Sequence, residues 1–334
     1  MKLATLKDGT RDGVLVVVAR NLARAAPAEA IAPTLQRALD DWTHCRPALK
    51  KLYEALNAGT AAGAFDLQPH RLAAPLPRAY QWLDGSAYLS HVERVRAARG
   101  ATMPPGATEE PLMYQGGSDS MLGATDDVPV ASEDWGIDLE GEVGVITGDV
   151  PMAASEAEAA TCIRLLVLIN DVSLRNLTAA ELAKGFGFVN SKSWTAFSPV
   201  AVTPEELGEA WDGRTVHLPL EVQVNGARLG APNAGEDMQF DFPRLIAHAA
   251  RTRPLGAGTL VGSGTVSNQS RAAGFGCLAE KRAVETVESG KPQTPFLRHG
   301  DRVRIEMLDR EGRSVFGAID QKIIGRQTRK GGSP

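Results

Sequence analysis

The chemical reading of this chain begins at two glutamates one residue apart. The segment Asp138-Leu139-Glu140-Gly141-Glu142-Val143-Gly144-Val145-Ile146 reads as a strand, and residues two apart on a strand share a face. Glu140 and Glu142 therefore point the same way, and their like charges repel unless something neutralises them. One hard divalent cation, Mg2+ first with Mn2+ or Ca2+ as alternatives, rewards such a pair because it selects carboxylate oxygens. Gly144, next on that face, leaves room for it. Taken alone, the pair reads first as an exposed acidic edge that discourages strand pairing, and Asp138 on the same face is read that way. A further carboxylate, Asp171, ends the apolar run Val167-Leu168-Ile169-Asn170-Asp171, where an isolated Asp would be a turn or cap residue.

Groups able to move protons lie elsewhere. Asp84-Gly85-Ser86-Ala87-Tyr88-Leu89-Ser90-His91 places a carboxylate seven residues before a histidine, the side chain suited to take a proton from water near neutral pH. Asn190-Ser191-Lys192-Ser193-Trp194 puts a lysine in a polar loop, where it can stabilise a developing oxyanion. Gly274-Phe275-Gly276-Cys277-Leu278-Ala279-Glu280 ends a Gly-rich turn on a glutamate able to orient a histidine. Each also has an ordinary reading as a structural histidine, a solvated lysine or a surface glutamate. Only in combination do these residues point to one chemistry.

The elements that must hold these residues are mostly strands. Lys2 to Leu6 and Gly13 to Arg20 read as strands, followed by helical periodicity in Pro33 to Trp42 and Arg46 to Leu56, with each proline at the start of its segment. Beyond about Leu72, short β-branched runs such as Glu142 to Thr147, Arg164 to Asn170 and Asp301 to Met307 alternate with Gly, Pro and Asn. Asn225-Gly226 between apolar runs signals a hairpin. Three helices are expected there: Ser155 to Cys162, one opening at Thr178 with Glu181 completing a capping box, and one from Asp241 to Ala250. The pattern predicts an α+β, β-dominated fold: a small N-terminal unit over residues 1–75, a main domain over 76–326 and a disordered polar tail over 327–334.

The 334 residues, 43% of them hydrophobic, can bury a large core. A net charge of −4 and a pI near 5.9, with no basic stripe, speak against nucleic acid as a partner. The opening residues lack the apolar stretch of a signal peptide, and no apolar run is long enough to span a bilayer. Three widely spaced cysteines, Cys45, Cys162 and Cys277, suit a reducing cytoplasm.

Taken in order, the Asp84–His91 run, Glu140-Gly141-Glu142, Asn170-Asp171-Val172-Ser173-Leu174-Arg175, Ser191-Lys192-Ser193, Ser263-Gly264-Thr265-Val266-Ser267 and Gly276 to Glu280 resemble the fumarylacetoacetate hydrolase family over roughly residues 75 to 325. The resemblance implies that Asp84, Glu140, Glu142 and Asp171 hold the cation. It makes His91 the general base with Glu280 as acidic partner, and sets Lys192 by the reacting oxygen. It puts Arg99, Tyr114, Arg175 and Thr265 at or near substrate-contacting positions, Arg99 only with a one-residue gap. Ser86 stands where the mammalian-type enzyme has a tyrosine, and Thr178 where it has a glutamine.

The resemblance further implies a mixed β-roll catalytic domain, a homodimer, and hydrolysis of a carbon–carbon bond in a small diketo acid. The first expectation is conversion of 4-fumarylacetoacetate to fumarate and acetoacetate in tyrosine and phenylalanine breakdown. Acylpyruvate hydrolysis, decarboxylation of an oxaloacetate-like acid and isomerisation of 2-hydroxyhepta-2,4-diene-1,7-dioate are the alternatives. A carbon leaving group departs only if its charge is held as an enolate, which a cation on both oxygens of a β-diketone provides. His91 with Glu280 favours a step that needs activated water. A structural calcium site is the non-enzymatic alternative, and it would need none of His91, Lys192 or Glu280.

Overall fold

Leu165-Leu166-Val167-Leu168-Ile169 is apolar without alternation, the pattern of a strand covered on both faces. All five side chains are fully buried, at the centre of the larger of two sheets. The computed structural model describes residues 1–98, 100–103 and 105–326. Arg99 and the tail at 327–334 lie outside the described residues.

The chain opens with β1 (Lys2–Leu6), β2 (Val14–Val18), β3 (Arg24–Pro27), α1 (Leu35–Asp40), α2 (Trp42–Asn57) and β4 (Phe65–Asp66). It continues through β5 (Trp82–Gly85), α3 (Leu89–Ala97), β6 (Met113–Gly116), β7 (Val128–Pro129), β8 (Ile137–Asp138), β9 (Gly141–Thr147), α4 (Glu156–Cys162), β10 (Ile163–Leu174) and α5 (Arg175–Leu182). The remainder is β11 (Lys192–Phe197), β12 (Ala201–Val202), β13 (Leu220–Val224), β14 (Ala227–Gly230), α6 (Phe242–Ala249), β15 (Leu260–Gly262), α7 (Leu278–Ser289), β16 (Arg302–Met307) and β17 (Ile319–Ile324).

The large sheet runs β4-β3-β2-β1-β12-β10-β9-β15-β5-β6, with β8 and β11 also paired to β10. It is mixed: β5 and β15 are parallel, and the other pairings are antiparallel. Alternation divides its side chains between two faces. Leu15, Val17, Leu165, Val167 and Ile169 meet Leu35, Leu39, Leu49 and Tyr53 of α1 and α2. Val16, Val18, Leu166 and Leu168 meet α6 and the second sheet, β14-β13-β16-β17-β7, through Val222, Ile305, Met307 and Ile319. Because β1 pairs with β12 (Lys2↔Val202), the leading unit is continuous with the main sheet. Among the described residues, no helix is long and apolar enough to cross a membrane.

Several local signals take the expected form. Asn225 and Gly226 both adopt positive φ (+52° and +78°) and turn β13 into β14, and Ser155 forms the capping box of α4 with Glu158. Others do not. Pro47 lies inside α2, which begins at Trp42; the carbonyl that loses its partner is on an exposed part of the helix. Thr178 sits within α5 rather than at its start, because Glu181 turns outward to the following loop instead of back to a cap. The strand expected over 138–146 is broken at Leu139-Glu140, where the backbone bridges to Cys277. Helices α3 and α7 were not anticipated. The first is too rich in charge to show an apolar stripe, and the second opens straight out of a Gly-rich turn.

Candidate active site

Three strands of the large sheet, β10 and β9 side by side and β5 one strand further across β15, converge on one acidic centre. Asp84 ends β5, Glu142 lies on β9 and Asp171 on β10, and one oxygen of each lies within 4.8 Å of the others. All three are buried. The register explains the meeting: Gly262 of β15 pairs with Asp84 on one side and Gly144 of β9 on the other. A Cβ at Gly262 would collide with the Asp84 carboxylate, so glycine there makes the approach possible. Gly264, at φ +72°, donates its N–H to Asp84 Oδ1 at 2.9 Å. The space beside Gly144 is not open to a cation, because the Ile169 side chain and the Val261 carbonyl oxygen take it up.

Glu140 stands next to this trio. Its carboxylate accepts Arg175 Nη2 at 2.7 Å and the Lys192 ammonium, which also reaches Asp171 Oδ2 at 2.6 Å. Lys192 is the first residue of β11, not part of a loop. Tyr114 of β6, opposite Asp84 in register, donates to Asp171 Oδ2 at 2.5 Å. Asp138 is not an exposed edge residue. It is fully buried, accepts the N–H groups of Leu278 and Ala279 at the start of α7 (2.8 and 2.9 Å), and takes Arg175 Nε at 2.8 Å.

Charge is unevenly balanced here. Four carboxylates face one lysine and one arginine, and the arginine is shared with Asp138. Burial, then the Asp171 charge, pushes the Asp84 carboxyl well above the usual range; burial, then Asp84 and Asp171, does the same to Glu142. Burial opposes the charged form of Glu140 too, but Lys192 and Arg175 outweigh it and hold that carboxyl well below the usual range. Both Glu142 oxygens are buried without a hydrogen-bond partner. Buried oxygens of this kind, unpartnered and clustered with two other carboxylates, fit a hard divalent cation.

The proton-moving groups come from two packed helices. His91 on α3 places Nδ1 3.1 Å from Glu280 Oε2 in the first turn of α7. Arg94, one turn along α3, binds Glu280 Oε1, which also accepts Ser267 Oγ at 2.9 Å, and Ser267 in turn meets Ser90 Oγ at 2.8 Å. Burial disfavours the charged form of Glu280, but the His91 contact and the Arg94 charge outweigh it and hold its carboxyl below the usual range. Arg94 was missed in the sequence. Its i,i+3 spacing from His91 is a helical signal, legible only once α3 is recognised as a helix.

His91 from one group and Asp84, Glu140 and Lys192 from the other line one cavity of about 140 Å3, together with Ser86, Tyr88, Tyr114, Arg175, Phe188 and Thr265. Thr265 Oγ1 is buried without a partner, and the Phe188 ring stands edge-on to Tyr114 at 5.4 Å. Thr178 is not part of this lining. A larger cavity of about 400 Å3 around Lys2, Glu206 and Arg313 shares none of these residues.

Comparison with known proteins gives the fold and site a family. Residues 81–324 match the family described as "Fumarylacetoacetate (FAA) hydrolase C-terminal", and residues 1–78 match "Fumarylacetoacetase N-terminal domain 2". The chain belongs to the fumarylacetoacetate hydrolase family. Among curated relatives, a 2,4-didehydro-3-deoxy-L-rhamnonate hydrolase of Sphingomonas sp. (strain SKA58) is 30% identical over 195 residues, 58% of this chain and 59% of that protein's own length. Among solved structures, maleylpyruvate hydrolase from Sphingobium sp. SYK-6, in complex with manganese(II) and pyruvate, matches at TM-score 0.65 and 18% identity over 98% of this chain and 100% of that one. Fumarylacetoacetate hydrolase from Exiguobacterium antarcticum matches at TM-score 0.63 and 18% identity with the same coverage.

Proposed function

We propose that this protein hydrolyses a carbon–carbon bond in a small β-diketo acid, 4-fumarylacetoacetate first, with a divalent cation held by Asp84, Glu140, Glu142 and Asp171. The observation that carries the reading is one cavity lined by His91, which Glu280 holds from behind, and by Asp84, Glu140 and Lys192 at the face of the carboxylate cluster. When bound, the cation supplies Lewis-acid polarisation of the substrate oxygens. We take it as Mg2+, with Mn2+ the ion of the solved maleylpyruvate hydrolase complex.

Glu280 accepts from His91 Nδ1, which sets the tautomer and leaves Nε2 as the lone-pair nitrogen able to take a proton from water. Arg94 and Ser267 hold Glu280 so that it cannot swing away from the ring. Lys192 stands ready to stabilise the oxyanion formed by attack, a contribution of roughly 3 kcal/mol for one such donor. Thr265 Oγ1, with no partner inside the protein, is free to bind a substrate oxygen. His91 can then return its proton to the departing carbon.

An acylpyruvate is the second substrate to test. Support comes from the pyruvate held by the maleylpyruvate hydrolase, from the small cavity, and from Ser86 where a family tyrosine is absent. The test follows the ultraviolet absorbance of fumarylacetoacetate, fumarylpyruvate and maleylpyruvate with purified protein and Mg2+, then after EDTA. Decay of one substrate that EDTA abolishes and Mg2+ restores supports the reading and selects the substrate. A folded, metal-loaded protein that leaves all three intact would sink it.

A further inference from the structure

The proton-moving pair has a third neighbour with no part in the reaction proposed above. Cys277 Sγ lies 4.0 Å from His91 Nδ1, and its position as the N-cap of α7 puts it on the same turn as Glu280, whose N–H it accepts at 3.4 Å. One nitrogen, one sulfur and one carboxylate oxygen from these residues lie within 4.8 Å of one another. We propose that His91, Cys277 and Glu280 form a second metal site, selective for a borderline-soft ion such as Zn2+, whose occupation shuts off the base.

The distances are close to those a tetrahedral ion requires. With Zn–N and Zn–O near 2.05 Å and Zn–S near 2.3 Å, tetrahedral angles separate N from O by about 3.3 Å and N from S by about 3.6 Å. The structure has 3.1 Å and 4.0 Å for these two edges, each within a few tenths of an ångström, and the sulfur-to-oxygen edge lies within 4.8 Å and closes by a turn of the Cys277 side chain. Glu280 Oε1 is committed to Arg94 and Ser267, while Oε2 meets only His91 and can exchange that contact for a metal. Coordination sends the thiol proton to solvent and moves the His91 proton from Nδ1 to Nε2, so the imidazole stays neutral and thiolate plus carboxylate balance the ion's two charges. A fourth position remains for water. The donor set separates this site from the all-oxygen cluster of Asp84, Glu142 and Asp171: thiolate and imidazole select zinc, carboxylates alone select magnesium.

Occupation stops the base for a physical reason. With the cation on Nδ1 the neutral ring carries its proton on Nε2, so no lone pair is left to take a proton from water, and the cation also takes the carboxylate that stabilised the protonated imidazole. This second half of the inference rests on the acid–base role proposed for His91; the binding half does not.

The test titrates Co2+ into whole protein whose carboxylate site is kept filled by excess Mg2+, and reads the thiolate-to-cobalt charge-transfer band. One equivalent should raise the band. Cys277→Ser, which keeps the cap on α7, and Cys277→Ala should both abolish it, whereas Cys45→Ser and Cys162→Ser should keep it. In parallel, Zn2+ should inhibit turnover at saturating Mg2+, and Cys277→Ser should raise the half-inhibiting concentration at least about tenfold. No band, or a band that survives in folded Cys277→Ser protein, overturns the site. A band that depends on Cys277 but leaves turnover untouched upholds the site and overturns the acid–base role of His91.

Discussion

In the proposed reaction His91 and Lys192 divide the chemistry between them, and they should respond differently to removal. His91 touches Glu280 and Cys277 but none of the three clustered carboxylates through a hydrogen bond, so His91→Ala should leave Mn2+ affinity by calorimetry within about twofold while kcat falls roughly 10²–10⁴-fold. Unchanged turnover would remove His91 from the base role. Lys192 is bound into the acidic centre itself, neutralising Glu140 and Asp171. Its truncation therefore alters metal affinity as well as rate, and it is the poorer probe of mechanism.

At the scale of elements, the loop between α5 and β11 is held by one side chain. Glu181 Oε1 accepts the N–H groups of Val189 and Asn190 at 3.1 and 2.8 Å, and Oε2 accepts that of Ser191 at 3.0 Å together with its hydroxyl. This loop carries Phe188 into the cavity wall and leads into Lys192. Burial works against the charged Glu181 carboxylate, but the Ser191 hydroxyl and the three backbone donors outweigh it and hold the pKa at about 2. A carboxyl depressed in the fold adds stability that is present above its unfolded value, about 4.3, and lost as pH falls through the folded one. The clamp is thus complete at neutral pH. Glu181→Ala should speed amide exchange at Val189, Asn190 and Ser191 at pH 7 and raise KM several-fold. Unaltered exchange at those three amides would mean that the loop is held by something else.

For the whole molecule, the acidic centre couples folding to metal and to pH. In metal-free protein, Asp84 and Glu142, raised by burial and by neighbouring carboxylate charge such as that of Asp171, bind protons that the unfolded chain has released above about pH 4.3. Their contribution to stability falls as pH rises. Glu140, Glu280 and Glu181 are depressed, so theirs falls as pH drops below that range. In EDTA the melting temperature should therefore peak at mildly acidic pH and decline toward pH 8. Mg2+ should lift the alkaline side, by about 2.7 kcal/mol at a hundred times its Kd. A metal-free melting temperature that climbs steadily to pH 8 would contradict this account of the cluster. A continuous sheet from β4 to β6 ties the leading unit to the strands bearing these carboxylates.

Much of this was legible in the residues. The apolar run of β10, the Asn225-Gly226 turn and the capping box at Ser155 depend on local backbone and side-chain preferences, which neighbours in sequence decide. The ordered motifs carried the family. What the spacing of two could not reveal is which carboxylates meet, because the rule that i and i+2 share a face holds only along an unbroken strand, and the strand breaks at Leu139-Glu140. Glu142 joins Asp84 and Asp171 across the β5-β15-β9-β10 register, while Glu140 goes to Arg175 and Lys192, and Asp138 is buried beneath α7. The contact of Arg94 with Glu280 likewise spans 186 residues and exists because α3 packs on α7. Side-chain type and order set what chemistry was available; long-range strand register and burial, which act between residues far apart in the chain, decided which charges share one site.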